Sequence, residues 1–129
     1  MTDDELLRRF EDCTLDAFPH RDHVRVAWLY LRQQSFVTAA AAFVDGLRRF
    51  ATAAGRPELY HETITWAFLV IIRERMHGRE DQQWDAFAAE NRDLLSWKPS
   101  VLDRYYSTET LFSERARTVF LMPDRVSVE

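Results

Sequence analysis

The longest apolar run in the chain covers residues 66–72, behind a polar stretch that carries His61. Its seven residues are far fewer than the roughly 20 that a membrane span needs, so protein must cover the run on nearly every side. The β-branched residues here would also suit a buried strand, because an all-apolar run has no periodicity that separates strand from helix. No Gly or Pro interrupts residues 60–76, however, and cations followed by Gly78 suit a helix C-terminus. The pattern therefore predicts a central helix over about residues 60–76.

Three amphipathic segments precede this central helix. Thr2 with Glu5 three residues on resembles a capping box for a helix over about residues 3–12. Pro19 suits the first turn of a second helix that reaches about residue 33. A third helix, over residues 36–54, has apolar residues spaced i, i+4, i+7 and i+11. The residues of this stripe are Phe36, Ala40, Phe43, Leu47, Phe50 and Ala54.

The segments after the central helix have weaker patterns. A fifth helix is predicted over about residues 80–95, with Asn91 as a polar residue on its apolar stripe. Ser100 and Asp103 have the spacing of a capping box for a short turn. A last helix is expected to begin near residue 113, to pack through Val119 and Phe120 and to stop before Pro123. Residues 124–129 are expected to form a loose tail.

The amino-acid composition favours a helical fold and argues against an all-β fold and a nucleic-acid-binding protein. Only three Gly and four Pro occur in 129 residues, too few for the tight turns of an all-β fold. We therefore predict an all-α fold, one compact domain over residues 1–129 built as a bundle of five to six helices around the central helix. A net charge of −4, with arginines interleaved among acids, argues against a nucleic-acid partner.

The compartment and the partners follow from the same composition. A single cysteine forbids an internal disulfide, and the acidic amino terminus has no apolar secretory segment, so we expect a cytoplasmic protein. No membrane association is expected. Formation of a homo-oligomer is left open.

Three of the four histidines form the candidate site. On a helical wheel His20 and His23 fall on the apolar side of the second helix. If helices two and four run parallel, their N-termini share one end of the bundle, where His61 meets the pair. Three imidazoles with an open position are typical of catalytic zinc, so a divalent metal such as zinc or iron is the candidate cofactor. Glu62 suits an acceptor behind the ligands or a general base that acts through water, beside His61 as a second catalytic candidate.

The same end of the bundle is expected to receive other polar residues that could hold a small-molecule ligand. Helix N-termini carry partial positive charge, so the imidazoles there should be neutral. An Asn on an apolar stripe must either find a hydrogen bond in the core or line a pocket, because leaving it unpaired costs roughly 1 to 3 kcal/mol. The ligand-binding candidates are Tyr60, Asn91, Tyr105 and Tyr106.

Three interpretations of the histidines stay open at this point. The rings could be structural and hydrogen-bond backbone groups, they could bind a metal, or they could line a metal-free binding or acid–base pocket. The sequence thus predicts a small protein with a His-lined pocket, and the first function considered for it is that of a metal-dependent enzyme acting on a small molecule. The alternative is a non-enzymatic module that binds a small molecule or another protein.

Two motifs carry a resemblance to a known group of proteins. Residues 20–31 read H-x-x-H-x-R-x-A-W-L-Y-L, and residues 60–65 read Y-H-E-T-I-T. With a Tyr-Tyr-Ser segment at residues 105–107, their order and spacing resemble a family of small bacterial helical proteins to which no activity is assigned. The likeness covers nearly the whole chain. It implies a bacterial source and a shared site, and nothing about a reaction.

Overall fold

The computed structural model describes residues 1–125, so the last four residues of the predicted tail lie outside the described part. Within it the all-α fold is confirmed, since helices are joined by turns and no strand occurs among these residues. Two short 3-10 helices occupy Pro57–Leu59 and Val101–Arg104. The α-helices are α1 (Asp3–Glu11), α2 (His20–Gln33), α3 (Phe36–Ala53), α4 (Glu62–Arg75), α5 (Trp84–Glu90), α6 (Arg92–Leu95), α7 (Thr108–Leu111) and α8 (Glu114–Thr118).

Local capping explains where several helices begin. The side chain of Thr2 accepts the N–H of Glu5 at 3.1 Å, and Ser35 caps α3 in the same way. Ser100 and Asp103 form a reciprocal capping box on the second 3-10 helix, as their spacing predicts. These contacts satisfy N–H groups that have no partner inside a helix.

The segment predicted as one fifth helix is two short helices, α5 and α6. Asn91 separates them with a non-helical backbone, φ −131° and ψ 47°. Its amide Nδ2 donates to the carbonyl of Phe87 at 2.9 Å. An asparagine side chain that bonds nearby backbone offers an alternative to the helical hydrogen bond, which is why the helix breaks here.

Helices α2 and α4 share the centre of the fold. α2 packs against α1, α3, α4 and α6, and its residues 26–31 are all buried. α4 lies inside the predicted range and packs against α2, α3 and α8. Protein does not cover it on every side, because Val70 is 53% exposed. None of the helices in residues 1–125 is long and apolar enough to cross a membrane.

A close contact between Phe10 and Gly46 joins α1 to α3. Phe10 is completely buried, and a Cβ atom added to Gly46 would lie 2.5 Å from Cζ of its ring. Only glycine therefore lets the ring approach the backbone of α3 this closely. Four more aromatic rings surround Phe10, with centroids at 5.2 to 6.4 Å; they belong to Phe18, Tyr30, Phe43 and Phe50.

Thr63, in the first turn of α4, holds the C-terminal part of the chain. Its hydroxyl Oγ1 lies 2.7 Å from the carbonyl oxygen of Ala116 and accepts the N–H of Leu121 at 3.1 Å. The chain after α8 is extended so that its backbone can make this contact. Val119 and Phe120 consequently point outward and are 44% and 42% exposed, contrary to the packing expected from the sequence.

Candidate functional site

A cavity of about 620 Å³ opens between the first turns of α2 and α4 and the C-terminal half of α3. This volume lies within the range of roughly 300 to 1,000 Å³ that is usual for small-molecule sites. The side chains of His20, His23 and His61 all line it. Most of the remaining wall is aromatic or aliphatic. The aromatic members are Phe18, Phe50, Tyr60, Trp97 and Phe112, and the aliphatic ones are Leu47, Ala51, Ala54, Leu59 and Ile64.

His61 is the N-cap of α4, with both ring nitrogens engaged by the backbone. Nδ1 accepts the N–H of Ile64 at 3.1 Å, and Nε2 lies 2.8 Å from the carbonyl oxygen of Leu111. The two contacts define a neutral ring that carries its proton on Nε2. Burial lowers the pKa of His61, and the charge of Arg117 acts in the same direction, while the Leu111 carbonyl opposes them.

His20 begins α2 and uses one of its two ring nitrogens. Nε2 donates to the carbonyl of Leu94 at 2.8 Å, so in the neutral ring Nδ1 carries the lone pair. The ring contacts Phe68 edge-on and packs against Trp97, with centroid distances of 4.9 and 5.3 Å. Burial lowers the pKa of His20, partly offset by the Leu94 carbonyl.

His23 lies one turn further along α2, on the same side of the helix. Its ring stacks on Phe18 with a centroid distance of 4.0 Å. Burial lowers the pKa of His23 to about 4, with a smaller contribution from the nearby His20, and the backbone of Phe18 opposes both. The ring is therefore neutral at pH 7 and retains one nitrogen with a lone pair.

Glu62 and Tyr60 form a polar group beside the cavity. The hydroxyl of Tyr60 donates to Oε1 of Glu62 at 2.5 Å, and Arg48 lies 3.7 Å from the same oxygen. The Arg48 guanidinium also covers the Tyr60 ring, 4.5 Å from its centroid. Burial, together with the Glu62 carboxylate, raises the pKa of Tyr60. Of the pair, Tyr60 lines the cavity, whereas the carboxylate of Glu62 is occupied by the tyrosine and the arginine.

The other predicted ligand-binding residues lie away from this cavity. Arg75, in the last turn of α4, donates to Asn91 at 2.9 Å and to Asp93 at 2.9 and 3.0 Å. Arg75 is fourteen positions after the N-cap His61, a rise of about 20 Å at 1.5 Å per residue. Of the two roles expected for Asn91, the structure therefore shows a hydrogen bond rather than a place in the cavity wall, and the residue lies at the opposite end of α4 from His61.

Tyr105 and Tyr106 are also outside the lining of the cavity. Tyr106 is buried and its hydroxyl donates to the carbonyl of Leu121 at 2.8 Å, so it helps to hold the C-terminal segment. Tyr105 is 37% exposed at the surface. The structure therefore brings four of the predicted residues to one cavity, namely Tyr60 and the three histidines, and leaves Asn91 and these two tyrosines elsewhere.

A metal centre would need these histidines to turn. Among residues 1–125, no group of three or more His, Cys, Asp or Glu side chains has the arrangement to hold a metal ion. His61 has no free ring nitrogen to bind a metal, because both of its nitrogens already contact the backbone. What the arrangement offers instead is two neutral imidazole nitrogens, on His20 and His23, that can accept a hydrogen bond or a proton.

Sequence reasoning missed most of the cavity wall. Trp97 follows α6 in a loop, Phe112 ends α7, and Leu59 lies in the 3-10 turn before α4. None of these positions belongs to a helical stripe. Phe50, by contrast, was part of the predicted stripe of α3 but was expected to face the core. A usable signal existed for Leu59, a large apolar residue directly before Tyr60 and His61 in the chain.

Removing the His61 ring tests whether it is structural. We expect His61→Ala to lower the free energy of unfolding by about 1 to 3 kcal/mol, because α4 loses its cap and the Leu111 carbonyl loses its donor. His61→Asn is the matched variant, since asparagine is a good N-cap but is too short to replace the Leu111 contact. It should retain about 1 kcal/mol more stability than the alanine variant in urea unfolding followed by circular dichroism.

The metal content of the same proteins separates the two roles of His61. Tag-free wild type and His61→Ala should give equal results in elemental analysis. Loss of a stoichiometric zinc or iron from the alanine variant would instead support the metal site.

Comparison of the chain with protein-family models, with curated proteins and with solved structures found no match.

Proposed function

We propose that this protein binds a small organic molecule in the cavity between α2, α3 and α4. The observation that carries the proposal is a mostly apolar cavity of about 620 Å³ whose wall includes His20 and His23. A concave apolar site with a few polar groups that fix orientation is the usual form of a small-molecule site. His20 and His23 supply polar groups, and the aromatic rings supply the contact area. Tyr60 and Thr65 also line the cavity, but their hydroxyls already donate to Glu62 and to the carbonyl of His61.

A metal-dependent reaction in the same cavity is the second candidate function, and it would require His61 to give up hydrogen bonds. His61 would have to leave the amide of Ile64 and the carbonyl of Leu111 before either nitrogen could bind a metal. Each buried backbone group left without a partner costs roughly 1 to 3 kcal/mol. Metal-free binding needs no such rearrangement, so the geometry favours it.

The same neutral nitrogens on His20 and His23 are suited to acid–base chemistry. A general base must lie within hydrogen-bond reach of the proton that it removes, and a bound molecule in this cavity would meet that condition. Two further parts of this proposal, a cytoplasmic location and the lack of a nucleic-acid partner, rest on the composition. A bacterial source is a third part, and it rests on the resemblance alone.

An uncharged fluorescent dye tests whether the cavity is a binding site. We expect Nile red to bind the wild-type protein saturably, with blue-shifted emission. Ala54→Trp should abolish this binding, because Ala54 is exposed, lines the cavity and can carry a large ring across its opening.

The matched control is Ala53→Trp. Ala53 is the neighbouring exposed residue at the end of α3 and lies outside the lining of the cavity. Binding that is equal in both tryptophan variants would mean that the dye sits on the surface, and the proposal would fail. Failure of the wild type to bind the dye would have the same consequence.

A further inference from the structure

The wall of the cavity carries no formal charge. Within residues 1–125, the lining contains no Asp, Glu, Lys or Arg side chain. The ion pair between Arg48 and Glu62 lies beside it, and neither residue belongs to the lining. A charged group that entered the cavity would lose its hydration without gaining a partner of opposite charge, which is strongly unfavourable. The site therefore favours an uncharged occupant.

The histidines do not change this conclusion at neutral pH. Burial lowers the pKa of all three rings, and that of His23 to about 4. An anionic group would find no imidazolium to pair with at pH 7. Uncharged imidazoles leave hydrogen bonding as the polar interaction that they can offer.

The hydrogen bonds already present in the fold decide which partner these rings can take. The N–H group of His20 is used by the carbonyl of Leu94. His61 has no nitrogen to spare. What remains on His20 is the lone pair of Nδ1, which accepts a hydrogen bond but cannot donate one. The uncharged His23 ring also has one lone-pair nitrogen that can accept. An occupant satisfies these lone pairs with a hydroxyl or an N–H group.

The cavity has an inner end and an opening to solvent, which different residues line. A second cavity of about 50 Å³ lies on the inner side of His20 and His23, where Ala27 and Ile72 line it. Leu59 and Phe112 are both 59% exposed, so they mark the opening to solvent. The two imidazoles therefore stand at the inner end of the larger cavity. A polar group of the occupant would point inward and an apolar part toward the opening.

Aromatic rings dominate the path between these two ends. Phe18 and Phe50 lie against each other with centroids at 5.1 Å, and Phe112 faces the His61 ring edge-on at 6.4 Å. Aromatic side chains favour offset or edge contacts with another ring at similar distances. A flat aromatic molecule fits such a wall better than a compact aliphatic one.

We propose that the ligand is an uncharged aromatic molecule with a hydroxyl or N–H donor, bound with the donor on the lone-pair nitrogens of His20 and His23. The inference rests on the proposed function, because it names the class of molecule for that same cavity. The ring lies among Phe18, Phe50 and Phe112, and its distal edge faces the opening beside Leu59.

Three naphthalene probes that differ in one substituent test the inference by calorimetry at pH 7. 2-Naphthol has a donor, 2-methoxynaphthalene has the same ring without one, and 2-naphthoate carries a charge. We expect 2-naphthol to bind about three- to tenfold more tightly than the methyl ether, the usual net contribution of one hydrogen bond. We expect 2-naphthoate to bind at least about tenfold more weakly than 2-naphthol, because its carboxylate is desolvated without a partner.

Variants at the histidines assign the donor contact. His20→Phe and His23→Phe keep an aromatic ring but remove the lone pair. The preference for 2-naphthol over the methyl ether should fall to less than about twofold in at least one of them, because one hydrogen bond is lost. His77→Phe is the control, because His77 is exposed in the turn after α4, and it should leave the preference unchanged.

The outcomes separate this inference from the function on which it rests. Equal affinity for 2-naphthol and 2-methoxynaphthalene, tighter binding of 2-naphthoate, or a preference that survives both histidine variants would overturn the inference and leave the cavity a binding site. Should neither Nile red nor any naphthalene bind the wild-type protein, the proposed function itself would be overturned. The wild-type comparison stands even if a histidine variant fails to fold.

Discussion

Replacing Phe10 by Ala is expected to lower the free energy of unfolding by about 3 to 5 kcal/mol, the cost of removing a fully buried aromatic side chain. Phe10 has no exposed surface and touches α3 at Gly46. Its ring joins the aromatic rings of three other segments, so the space that it leaves cannot close by the movement of one neighbour. A loss of this size is a large fraction of the roughly 5 to 15 kcal/mol by which domains are usually stable.

Gly46→Ala tests the same contact from the other side. Alanine is the better helix former by about 1 kcal/mol, yet its methyl group would overlap the Phe10 ring. We expect a net loss of about 1 to 3 kcal/mol from overpacking. In the Phe10→Ala/Gly46→Ala double variant the methyl group has room, so the combined loss should be smaller than the sum of the two.

Urea unfolding followed by circular dichroism measures all three proteins. Phe120→Ala is a suitable control, because Phe120 is 42% exposed and its loss should cost under about 1 kcal/mol. Strictly additive losses for Phe10 and Gly46 would contradict the contact between α1 and α3.

Acidification is expected to destabilise the protein through His23 by up to about 3 kcal/mol between pH 6.5 and about 4. Burial holds the pKa of His23 at about 4 in the folded state, against 6.5 for an unperturbed histidine. Between these values the unfolded chain binds a proton that the folded chain does not, so stability falls as the pH falls. Above pH 6.5 both states are neutral and His23 contributes no pH dependence.

The His23→Phe variant isolates this contribution. Other groups titrate in the same range, including His20 and His61, whose pKa values are also lowered by burial. The relevant quantity is therefore the difference in unfolding free energy between wild type and variant, measured from pH 4 to 7.5. Wild-type stability should decline more steeply than that of the variant below pH 6.5. An NMR titration of His23 with a midpoint near 6.5 would contradict the prediction.

Local sequence was enough to predict the fold class and the long helices. α1 to α4 all fall within a few residues of the predicted ranges, because capping side chains, Pro19 and Gly78 act on neighbouring residues. The inward position of His20 and His23 likewise depends on one helix and its apolar stripe. Such features are encoded within about one or two helical turns of the chain, where pattern reasoning applies.

The chemistry of the candidate site depended on contacts between residues that are distant in the chain. Leu111 and Leu94, which take the N–H groups of His61 and His20, are 50 and 74 residues away from them. No periodicity relates such pairs, so the sequence could not show that His61 has no free nitrogen. The same limit applies to Asn91, whose partner Arg75 holds it at the far end of α4.

By itself, then, the sequence determined that this chain is helical, where its long helices lie and which histidines face inward. Only the tertiary structure decided that α5 ends at Asn91, that Phe10 reaches the backbone at Gly46 and that the histidines line an uncharged cavity. The physical reason is the distance along the chain over which the different interactions act. Helix propensity and capping act between near neighbours, whereas the protonation and hydrogen bonding of a buried imidazole depend on whichever distant carbonyl the packing brings to it.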